Sequence, residues 1–401
     1  MASRTLTLTY ALSVLLACGG HGLEPLPMDE SPGEFPPPEA PAPEAPTVEQ
    51  TPAAPTWVTV PPSDARIQYT GRVDVTSASA AFSYPGVSIK VRFWGEALEL
   101  LLNEQGPDDA TTTNYYQVTL DGQAPVKFPV RASQTVYEIA RSLPLGEHTV
   151  ELIKLTESDV GRSELRGFRV RGQLLSPPAR PALRIEFIGD SITCGYGNEV
   201  SIPESSNPST GFHSVNENIT RTYGWLTARN LGAEAVMVCN SGRGIYRNNT
   251  GDTVNTVPRL YGRVFPNQDT PRWDFTRAPP GIVVLNLGTN DFYPGTPNAA
   301  LFRAAYTDFV TRLRSQYPQA RIICAVGSMM NDWYPVGQRH WSTIQGWVSS
   351  VVKGFNDRGD ARVHYLAFTP QTGPYGEDWH PSPATHQAMA TRLTEFIRAL
   401  R

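Results

Sequence analysis

The stretch LRIEFIGDSI, residues 183–192, runs from an apolar strand into a turn that presents Ser191. Four more apolar segments follow along the chain, at 235–239, 282–287, 321–326 and 363–368, and helical patterns accompany them at 223–231, 299–316, 341–355 and 384–400. Strands that alternate with helices are typical of a parallel sheet covered on both faces. Residues 181–401 are therefore predicted to form an α/β domain, whose functional residues should lie beyond the carboxyl ends of the strands.

The segment before this domain has the pattern of short β-strands. Turn signals such as Tyr84-Pro85-Gly86 and Asp121-Gly122 separate the strands, without a convincing helical period. The predicted strands cover 66–69, 88–94, 98–102, 116–120, 126–130, 149–154 and 165–170. This spacing indicates an all-β sandwich over 63–176, with a jelly roll as the preferred architecture, and Ser176-Pro177-Pro178 marks a short linker.

The first 18 residues have the features of a lipoprotein signal peptide. Arg4 precedes an apolar run from Leu6 to Ala17, which has the length of a secretory segment and is too short to span a bilayer. The run ends in Leu15-Leu16-Ala17-Cys18, which resembles the bacterial lipobox. We therefore expect an exported lipoprotein, anchored at the cell surface or in the periplasm by a lipid on Cys18. The alternative is conventional cleavage, with Cys18 as an incidental thiol and the protein secreted.

Residues 19–62 are predicted to be an extended tether. Of the 36 prolines in the chain, eleven lie between residues 19 and 55, together with seven acidic residues and no lysine or arginine. Such a composition disfavours a core and favours polyproline II. The whole chain has a net charge of −4, so the acidic tether leaves residues 56–401 at about +2. A nearly neutral folded part excludes a strongly basic nucleic-acid-binding protein.

The cysteines allow few disulfides and no metal site. If Cys18 is lipidated, Cys194, Cys239 and Cys324 remain, and at most one disulfide can form among them. Cys239 and Cys324 lie in apolar runs, so we expect buried, inert thiols there. The sequence has neither Cys-x-x-Cys nor His-Glu-x-x-His, nor the adjacent histidines after an Asp that metal-dependent deacetylases require. A metal site is therefore not expected.

Residues suited to catalysis follow several of the predicted strands. Ser191 follows the first strand, Gly242 the second and Asn290 the third, and His380 precedes the last helix. A serine at a strand-to-helix turn can be a nucleophile, although it can equally cap the helix. Glycine can direct its backbone N–H into a site, an Asn amide can donate to an oxyanion, and an imidazole can act as base. Together these residues indicate a serine hydrolase.

The chain resembles the SGNH, or GDSL-type, hydrolase superfamily. The matching blocks are Gly189-Asp190-Ser191-Ile192, Gly242, Gly288-Thr289-Asn290-Asp291 and the block at His380. The longer stretches 189–198, 240–244 and 378–381 are similar to carbohydrate esterase family two, whose members also have an N-terminal β-sandwich. The resemblance implies a flavodoxin-like sheet and a serine esterase that removes O-acetyl groups from plant-wall polysaccharides such as acetylated xylan, mannan and glucomannan, without a cofactor.

The candidate catalytic roles follow from chemistry and from this resemblance. Ser191 is the predicted nucleophile and His380 its base. The oxyanion is expected to be held by the amides of Ser191 and Gly242 and by the side chain of Asn290. Where the superfamily usually has Asp, three residues before the His, this chain has Glu377. Glu377 is therefore a candidate third catalytic residue, and the alternative is a Ser-His dyad in which a backbone carbonyl replaces the acid.

Trp379, Asp190 and Arg243 are the candidate substrate-binding residues. Trp379 offers a flat apolar face that suits a sugar ring. The alternatives are that Arg243 braces its loop and that Asp190 braces the turn. Further aromatic residues are expected near the rim, with ordinary packing as their alternative: Phe292, Tyr293, Trp333 and Tyr334. His386 lies inside the last helical pattern, and a structural role is expected for it.

Two other functions use parts of the same sequence. A general short-chain esterase or lipase needs the same catalytic residues and differs only in its substrate. A non-catalytic, carbohydrate-binding lipoprotein needs only the β-sandwich, and the presence of Ser191, Asn290 and His380 argues against it.

Overall fold

The computed structural model describes residues 55–109 and 111–400, and the first part of it is an antiparallel β-domain. Its ten strands are β1 (Trp57–Val60), β2 (Gln68–Thr70), β3 (Asp74–Val75), β4 (Ala80–Phe82), β5 (Ser88–Glu104), β6 (Asn114–Leu120), β7 (Val126–Val130), β8 (Val136–Ala140), β9 (Gly146–Lys154) and β10 (Ser163–Leu175). They pair in the order β3-β4-β10-β5-β9-β6-β7, while β1 pairs with β10, and both β2 and β8 pair with β5.

The longest strand, β5, differs from the sequence prediction. The two strands predicted over 88–94 and 98–102 form one strand of 17 residues. A register shift against β10 falls between Arg171 and Gly172, opposite Gly95. A Cβ atom at Gly95 would lie 2.2 Å from the carbonyl oxygen of Arg171, so this glycine permits a close backbone approach within the strand.

The β-domain also begins earlier than the sequence predicts. Trp57–Val60 pairs with β10 in the register Trp57↔Arg171 to Val60↔Phe168. The end of the tether predicted at residue 62 is therefore wrong, because the sheet already includes Trp57. The rest of the predicted tether, 19–54, and the predicted signal peptide with Cys18 lie outside the described residues.

The second part of the chain contains a parallel sheet of five strands. These are β11 (Arg184–Gly189), β12 (Glu234–Cys239), β13 (Ile282–Asn286), β14 (Arg321–Val326) and β15 (Val363–Ala367). Their order is β12-β11-β13-β14-β15, and every neighbouring pair is parallel. The predicted α/β fold with a flavodoxin-like sheet is confirmed. The strand order reverses between β11 and β13, which is where such sheets bind ligands.

Helices cover both faces of this sheet. They are α1 (Ser191–Cys194), α2 (Tyr223–Asn230), α3 (Val257–Leu260), α4 (Thr289–Phe292), α5 (Ala299–Gln316), α6 (His340–Asp357) and α7 (Pro383–Ala399). In β13, Val283 shares a core cluster with Val310 of α5. The next residue, Val284, belongs to a second cluster with Leu393 of α7. Successive side chains of a strand point to opposite faces, so an uninterrupted apolar strand serves both helical layers.

The two domains belong to one compact unit, which a buried arginine helps to join. Arg72, between β2 and β3, is fully buried, and its guanidinium lies 3.3 Å from the Glu186 carboxylate of β11. It also donates to the carbonyl oxygen of Arg263 at 3.0 Å and lies over the ring of Tyr261. Within the described residues, no helix is both long and apolar enough to cross a membrane.

Candidate active site

The first strand of the parallel sheet ends in the turn that positions Ser191. Asp190 is the N-cap of α1, since its carboxylate accepts a hydrogen bond from the Ile192 N–H at 3.1 Å. The capping role that the sequence left open for Ser191 is therefore performed by Asp190. Asp190 is only 1% exposed, and burial raises its pKa to about 7. Its assignment as a substrate contact is wrong, because the side chain is enclosed beneath the turn that it braces.

Ser191 and His380 meet at the carboxyl edge of the sheet. The Nε2 atom of His380 lies 2.8 Å from the Ser191 hydroxyl, and its Nδ1 atom lies 2.9 Å from the carbonyl oxygen of Glu377. A carbonyl oxygen can only accept, so Nδ1 carries the hydrogen and Nε2 is free to accept the serine proton. Burial lowers the pKa of His380 to about 4, which keeps the imidazole neutral at neutral pH.

Tyr196 fixes the plane of the His380 ring. The two rings stack with centroids 4.1 Å apart and an interplanar angle of 21°. The Tyr196 hydroxyl donates to a carboxylate oxygen of Asp378 at 2.6 Å, and the other oxygen of Asp378 accepts from the Gly211 N–H at 3.0 Å. Tyr196, two residues after the end of α1, thus links the turn that follows this helix to the segment that contains His380.

The side chain of Glu377 does not contact His380. Its buried carboxylate accepts hydrogen bonds from the His213 ring at 2.8 Å, from the His213 N–H at 3.0 Å and from the Asn216 amide at 2.7 Å. The prediction of Glu377 as a carboxylate partner of His380 is therefore wrong, and its backbone carbonyl occupies that place instead. The geometry is that of the dyad alternative.

The segment before His380 has an unusual backbone. Asp378 and Trp379 have φ angles of 47° and 59°, in the left-handed region that residues with a side chain seldom adopt. Such conformations persist where the surroundings over-determine them. Here the carboxylates of Glu377 and Asp378 both hold the segment, and they direct the Glu377 carbonyl at His380.

Gly242 and Asn290 lie beside Ser191 around the same cleft. Gly242 has a φ of 74°, and among the described residues no acceptor faces its N–H or the N–H of Ser191. The Asn290 amide nitrogen lies 3.2 Å from Asp190 Oδ2 and 3.1 Å from the Arg243 carbonyl oxygen. Both of its hydrogens thus have acceptors within the protein in this state.

Asp291, next to Asn290, shapes the other side of this region. Its buried carboxylate accepts hydrogen bonds from the backbone N–H groups of Ile245, Tyr246 and Arg247, at 2.9, 2.8 and 2.8 Å. It therefore holds the chain that follows Gly242, and burial raises its pKa to about 6 against these hydrogen bonds.

The cleft above Ser191 has a volume of about 790 Å³. Arg243, Trp379 and Tyr293 line it together with Ser191 and His380. Trp379 is 47% exposed and Tyr293 80% exposed, so their faces are free for a ligand. Arg243 donates to the Asn240 side chain at 3.2 Å, which braces the loop as well.

The remaining aromatic and histidine predictions have mixed outcomes. Phe292 is buried against Phe302 and Trp347, so its placement at the rim is wrong. Trp333 and Tyr334 are 58% and 73% exposed but do not line the cleft. His386 is buried and accepts from the Tyr223 N–H at 3.2 Å, which agrees with a structural role.

A disulfide joins Cys194 to Cys239, which corrects the expectation that Cys239 is a free thiol. Cys239 is the last residue of β12, and Cys194 is the last residue of α1, which follows β11. Because β11 and β12 pair in parallel, the ends of these two elements lie side by side, and the two cysteines meet there. Cys324 is a buried free thiol, and burial raises its pKa to about 12. The described part of the chain contains no group of three or more His, Cys, Asp or Glu side chains that could hold a metal ion.

Sequence reasoning missed several residues that shape the site. Tyr196 stands five positions after Ser191 within the quoted block 189–198, yet nothing in the sequence shows that its ring meets His380. His213 lies in a segment without periodicity, and its pairing with Glu377 spans 164 residues. Contacts between residues so far apart in the chain leave no pattern in the neighbouring sequence.

Comparisons with known families agree with this geometry. The GDSL-like Lipase/Acylhydrolase family matches residues 187–388, and the Carbohydrate esterase 2 N-terminal family matches residues 69–178. Fold and site therefore define a GDSL-like acylhydrolase with an additional N-terminal β-domain, and this class of enzyme hydrolyses carboxylic esters.

Individual relatives narrow the class. The chain is 36% identical over 340 residues to the cellulase/esterase CelE of Acetivibrio thermocellus, which covers 83% of this chain but 39% of that protein. It is 31% identical to an acetylxylan esterase / glucomannan deacetylase of Cellvibrio japonicus, over 85% of this chain and 91% of that protein. The chain belongs to the family two carbohydrate esterases, as the sequence resemblance predicted.

Solved structures support the same assignment. A family two carbohydrate esterase from Clostridium thermocellum, in complex with cellohexaose, is similar with a TM-score of 0.75 at 36% identity. The similarity covers 83% of this chain and 98% of that chain. A family two carbohydrate esterase from Cellvibrio japonicus has a TM-score of 0.76 at 29% identity, over 86% of this chain and 98% of that chain. Both domains are therefore shared with these enzymes.

Proposed function

We propose that this protein removes O-acetyl groups from plant-wall polysaccharides such as acetylated xylan, mannan and glucomannan by Ser-His catalysis. The observation that carries the proposal is the hydrogen-bonded series from the Ser191 hydroxyl through the His380 ring to the Glu377 carbonyl, at the floor of an open cleft. The names of the relatives support the substrate, since one is an acetylxylan esterase / glucomannan deacetylase and one was solved with cellohexaose.

The reaction would proceed through an acetyl-enzyme. Ser191 Oγ attacks the acetyl carbonyl carbon while His380 Nε2 takes the hydroxyl proton. His380 then returns this proton to the sugar oxygen as the ester bond breaks. A water molecule, deprotonated by the same nitrogen, attacks the acetyl-serine; the bond between the acyl carbon and Ser191 Oγ then breaks, His380 returns the proton to Oγ, and acetate is released. The Glu377 carbonyl stabilises the imidazolium that forms in both steps, because its oxygen accepts the Nδ1 hydrogen.

The negative charge of the tetrahedral intermediates needs hydrogen-bond donors. The N–H groups of Ser191 and Gly242 have no acceptor within the described chain, and each such donor is worth about 3 kcal/mol of barrier. Asn290 is the third proposed donor. An oxyanion is a stronger acceptor than the neutral Arg243 carbonyl, so one amide hydrogen of Asn290 would turn to it as the charge develops.

The cleft suits an uncharged sugar polymer. Trp379 and Tyr293 expose aromatic faces on which the C–H faces of sugar rings can pack, and Arg243 can donate to hydroxyl or carbonyl oxygens. A cleft open to solvent leaves room for the polymer on either side of the acetylated residue.

Export and lipidation complete the proposal. The apolar run before Cys18 and the proline-rich segment after it would place the enzyme outside the cytoplasm on an extended tether. The test is metabolic labelling with radioactive palmitate. The native protein should be labelled and the Cys18→Ser variant should not, whereas equal labelling of the two would refute lipidation at Cys18.

The activity is tested by acetate release from acetylated xylan, acetylated glucomannan and peracetylated cellobiose, with Ser191→Ala as control. We expect release by the native protein and loss of nearly all of it in the variant. Ester substrates with long acyl chains distinguish a general esterase or lipase, because faster turnover of those chains than of acetyl groups would overturn the proposed substrate. Unchanged acetate release by Ser191→Ala would overturn the proposed site.

A further inference from the structure

The β-domain reaches the candidate active site through the connection between β9 and β10. Residues 155–162 of this connection contact the segment 240–242, which follows β12 and contains Gly242. The Asn240 amide donates to the Ser158 hydroxyl at 3.0 Å, and Ser241 contacts Glu157 twice. The segment with a proposed oxyanion donor is thus held from another domain.

The contacts of Glu157 are specific in geometry. One carboxylate oxygen accepts the backbone N–H of Ser241 at 3.0 Å, and the other accepts the Ser241 hydroxyl at 2.7 Å. Glu157 is 4% exposed, so water competes little for these bonds. Ser241 directly precedes Gly242, and the peptide that joins them contains the Gly242 N–H. The backbone N–H and the hydroxyl of Ser241 are both held, so Glu157 fixes the position of the residue from which that peptide extends.

Glu157 is itself held from both sides of the domain boundary, by Lys154 of the β-domain and by Glu217 of the α/β domain. Its backbone N–H donates to a carboxylate oxygen of Glu217 at 2.9 Å, and its carbonyl oxygen accepts from the buried ammonium of Lys154 at 3.1 Å. Lys154 also donates to the Thr156 carbonyl oxygen at 2.6 Å. Burying these polar and charged groups costs desolvation free energy that an apolar contact would not, and the hydrogen bonds offset that cost.

We propose that Glu157 is a positioning residue for acyl transfer. From the β-domain it orients the segment of the α/β domain whose Gly242 N–H donates to the oxyanion. The inference rests on the proposed function, since it concerns the same oxyanion. The β-domain then contributes to catalysis, because the α/β domain needs its Glu157 to place an oxyanion donor. A role of Glu157 in binding the polysaccharide is a different hypothesis, which the experiment separates.

The experiment compares Glu157→Ala and Glu157→Gln with Glu234→Ala in the full-length protein. Glu234 is a suitable control because its carboxylate also accepts a hydrogen bond from the β-domain, from Thr70 at 2.6 Å, and is also buried. It lies at the start of β12, whereas Cys239, which leads into the 240–242 segment, lies at the end. Its loss removes this contact and the ion pairs with Arg180 and Arg184, without touching Gly242.

We expect kcat for acetate release to fall about 10- to 100-fold in Glu157→Ala, with KM changed less than about threefold, because a misplaced donor acts only in the transition state. Glu157→Gln should recover most of kcat, since an amide can accept the Ser241 N–H and donate to its hydroxyl oxygen. Glu234→Ala should keep kcat within about twofold while its Tm falls, as expected for a contact remote from the oxyanion.

Three results would overturn the inference: an unchanged kcat in Glu157→Ala, a rise in KM alone, or an equal loss of kcat in Glu234→Ala. If Glu157→Ala does not fold, Glu157→Asp replaces it, because the shorter side chain keeps the charge and withdraws the oxygens. A kcat equal to that of the native protein in Glu157→Asp would likewise overturn it. An inactive native protein would instead refute the proposed function.

Discussion

Two segments approach Ser191 from opposite sides, and the molecule holds them by different means. The segment with His380 is held within the α/β domain, where Glu377 pairs with His213 and Asn216, and Asp378 pairs with Tyr196. The segment with Gly242 is held by Glu157 of the β-domain. The proposed base is therefore positioned by contacts within its own domain, whereas the segment with the proposed oxyanion donor is also held by a contact between domains.

The largest expected effect is the loss of the base. Replacing His380 by Ala removes the acceptor of the Ser191 proton, and kcat should fall about 10⁴-fold or more, the range found for established triads. Steady-state acetate release measures the loss, and circular dichroism checks that the variant is folded. Substantial activity in a folded His380→Ala protein would mean that another group takes the proton.

The disulfide gives the next largest effect, and the effect should be on stability. The Cys194–Cys239 bond ties α1 to the strand that leads into the Gly242 segment, and it closes a loop with a sequence separation of 45. Replacing both cysteines by Ala should lower the free energy of unfolding by about 3 to 4 kcal/mol. Urea titration measures this change.

Dithiothreitol provides the control for the disulfide. It should lower the Tm of the native protein and leave that of the double variant unchanged, since Cys324 has no disulfide partner. A double variant as stable toward urea as the oxidised native protein would contradict the prediction.

The Glu377 side chain should have a smaller effect on turnover than a catalytic acid. Its carboxylate holds the segment but leaves the Nδ1 contact to the backbone. We expect Glu377→Ala to lose about 10- to 100-fold in kcat through displacement of His380, and Glu377→Gln to lose less than about tenfold. A loss of about 10⁴-fold in Glu377→Gln, measured as kcat, would restore the triad hypothesis.

The smallest expected effect is that of a moderate drop in pH on kcat/KM. The neutral imidazole is the base, so kcat/KM falls only when the pH drops below the pKa of His380. Because burial lowers that pKa to about 4, we expect full activity at pH 6 and an acid limb well below the ordinary histidine value near 6.5. The position of the acid limb is measured from kcat/KM as a function of pH, with a check that the protein stays folded at the lowest and highest pH. An acid limb near 6.5 would mean that water reaches the ring freely.

The sequence predicted the parts of the molecule that have a local signal. The five parallel strands appear as uninterrupted apolar runs because each strand is buried on both faces. Ser191, Gly242, Asn290 and His380 could be singled out because carboxyl ends of parallel strands meet at one edge. The strands β3 and β4 were not predicted, since two and three residues are too few to show a period.

The sequence by itself determined the fold class, the family and the residues around the cleft, because periodicity and the motif blocks are properties of neighbouring positions. Only the tertiary structure decided that a carbonyl rather than the Glu377 carboxylate faces His380, that Cys239 is paired and that Glu157 reaches Ser241. Two of these contacts join positions 45 and 84 residues apart, and the third depends on one backbone conformation. Their geometry depends on how the domains and loops pack, which no local pattern records.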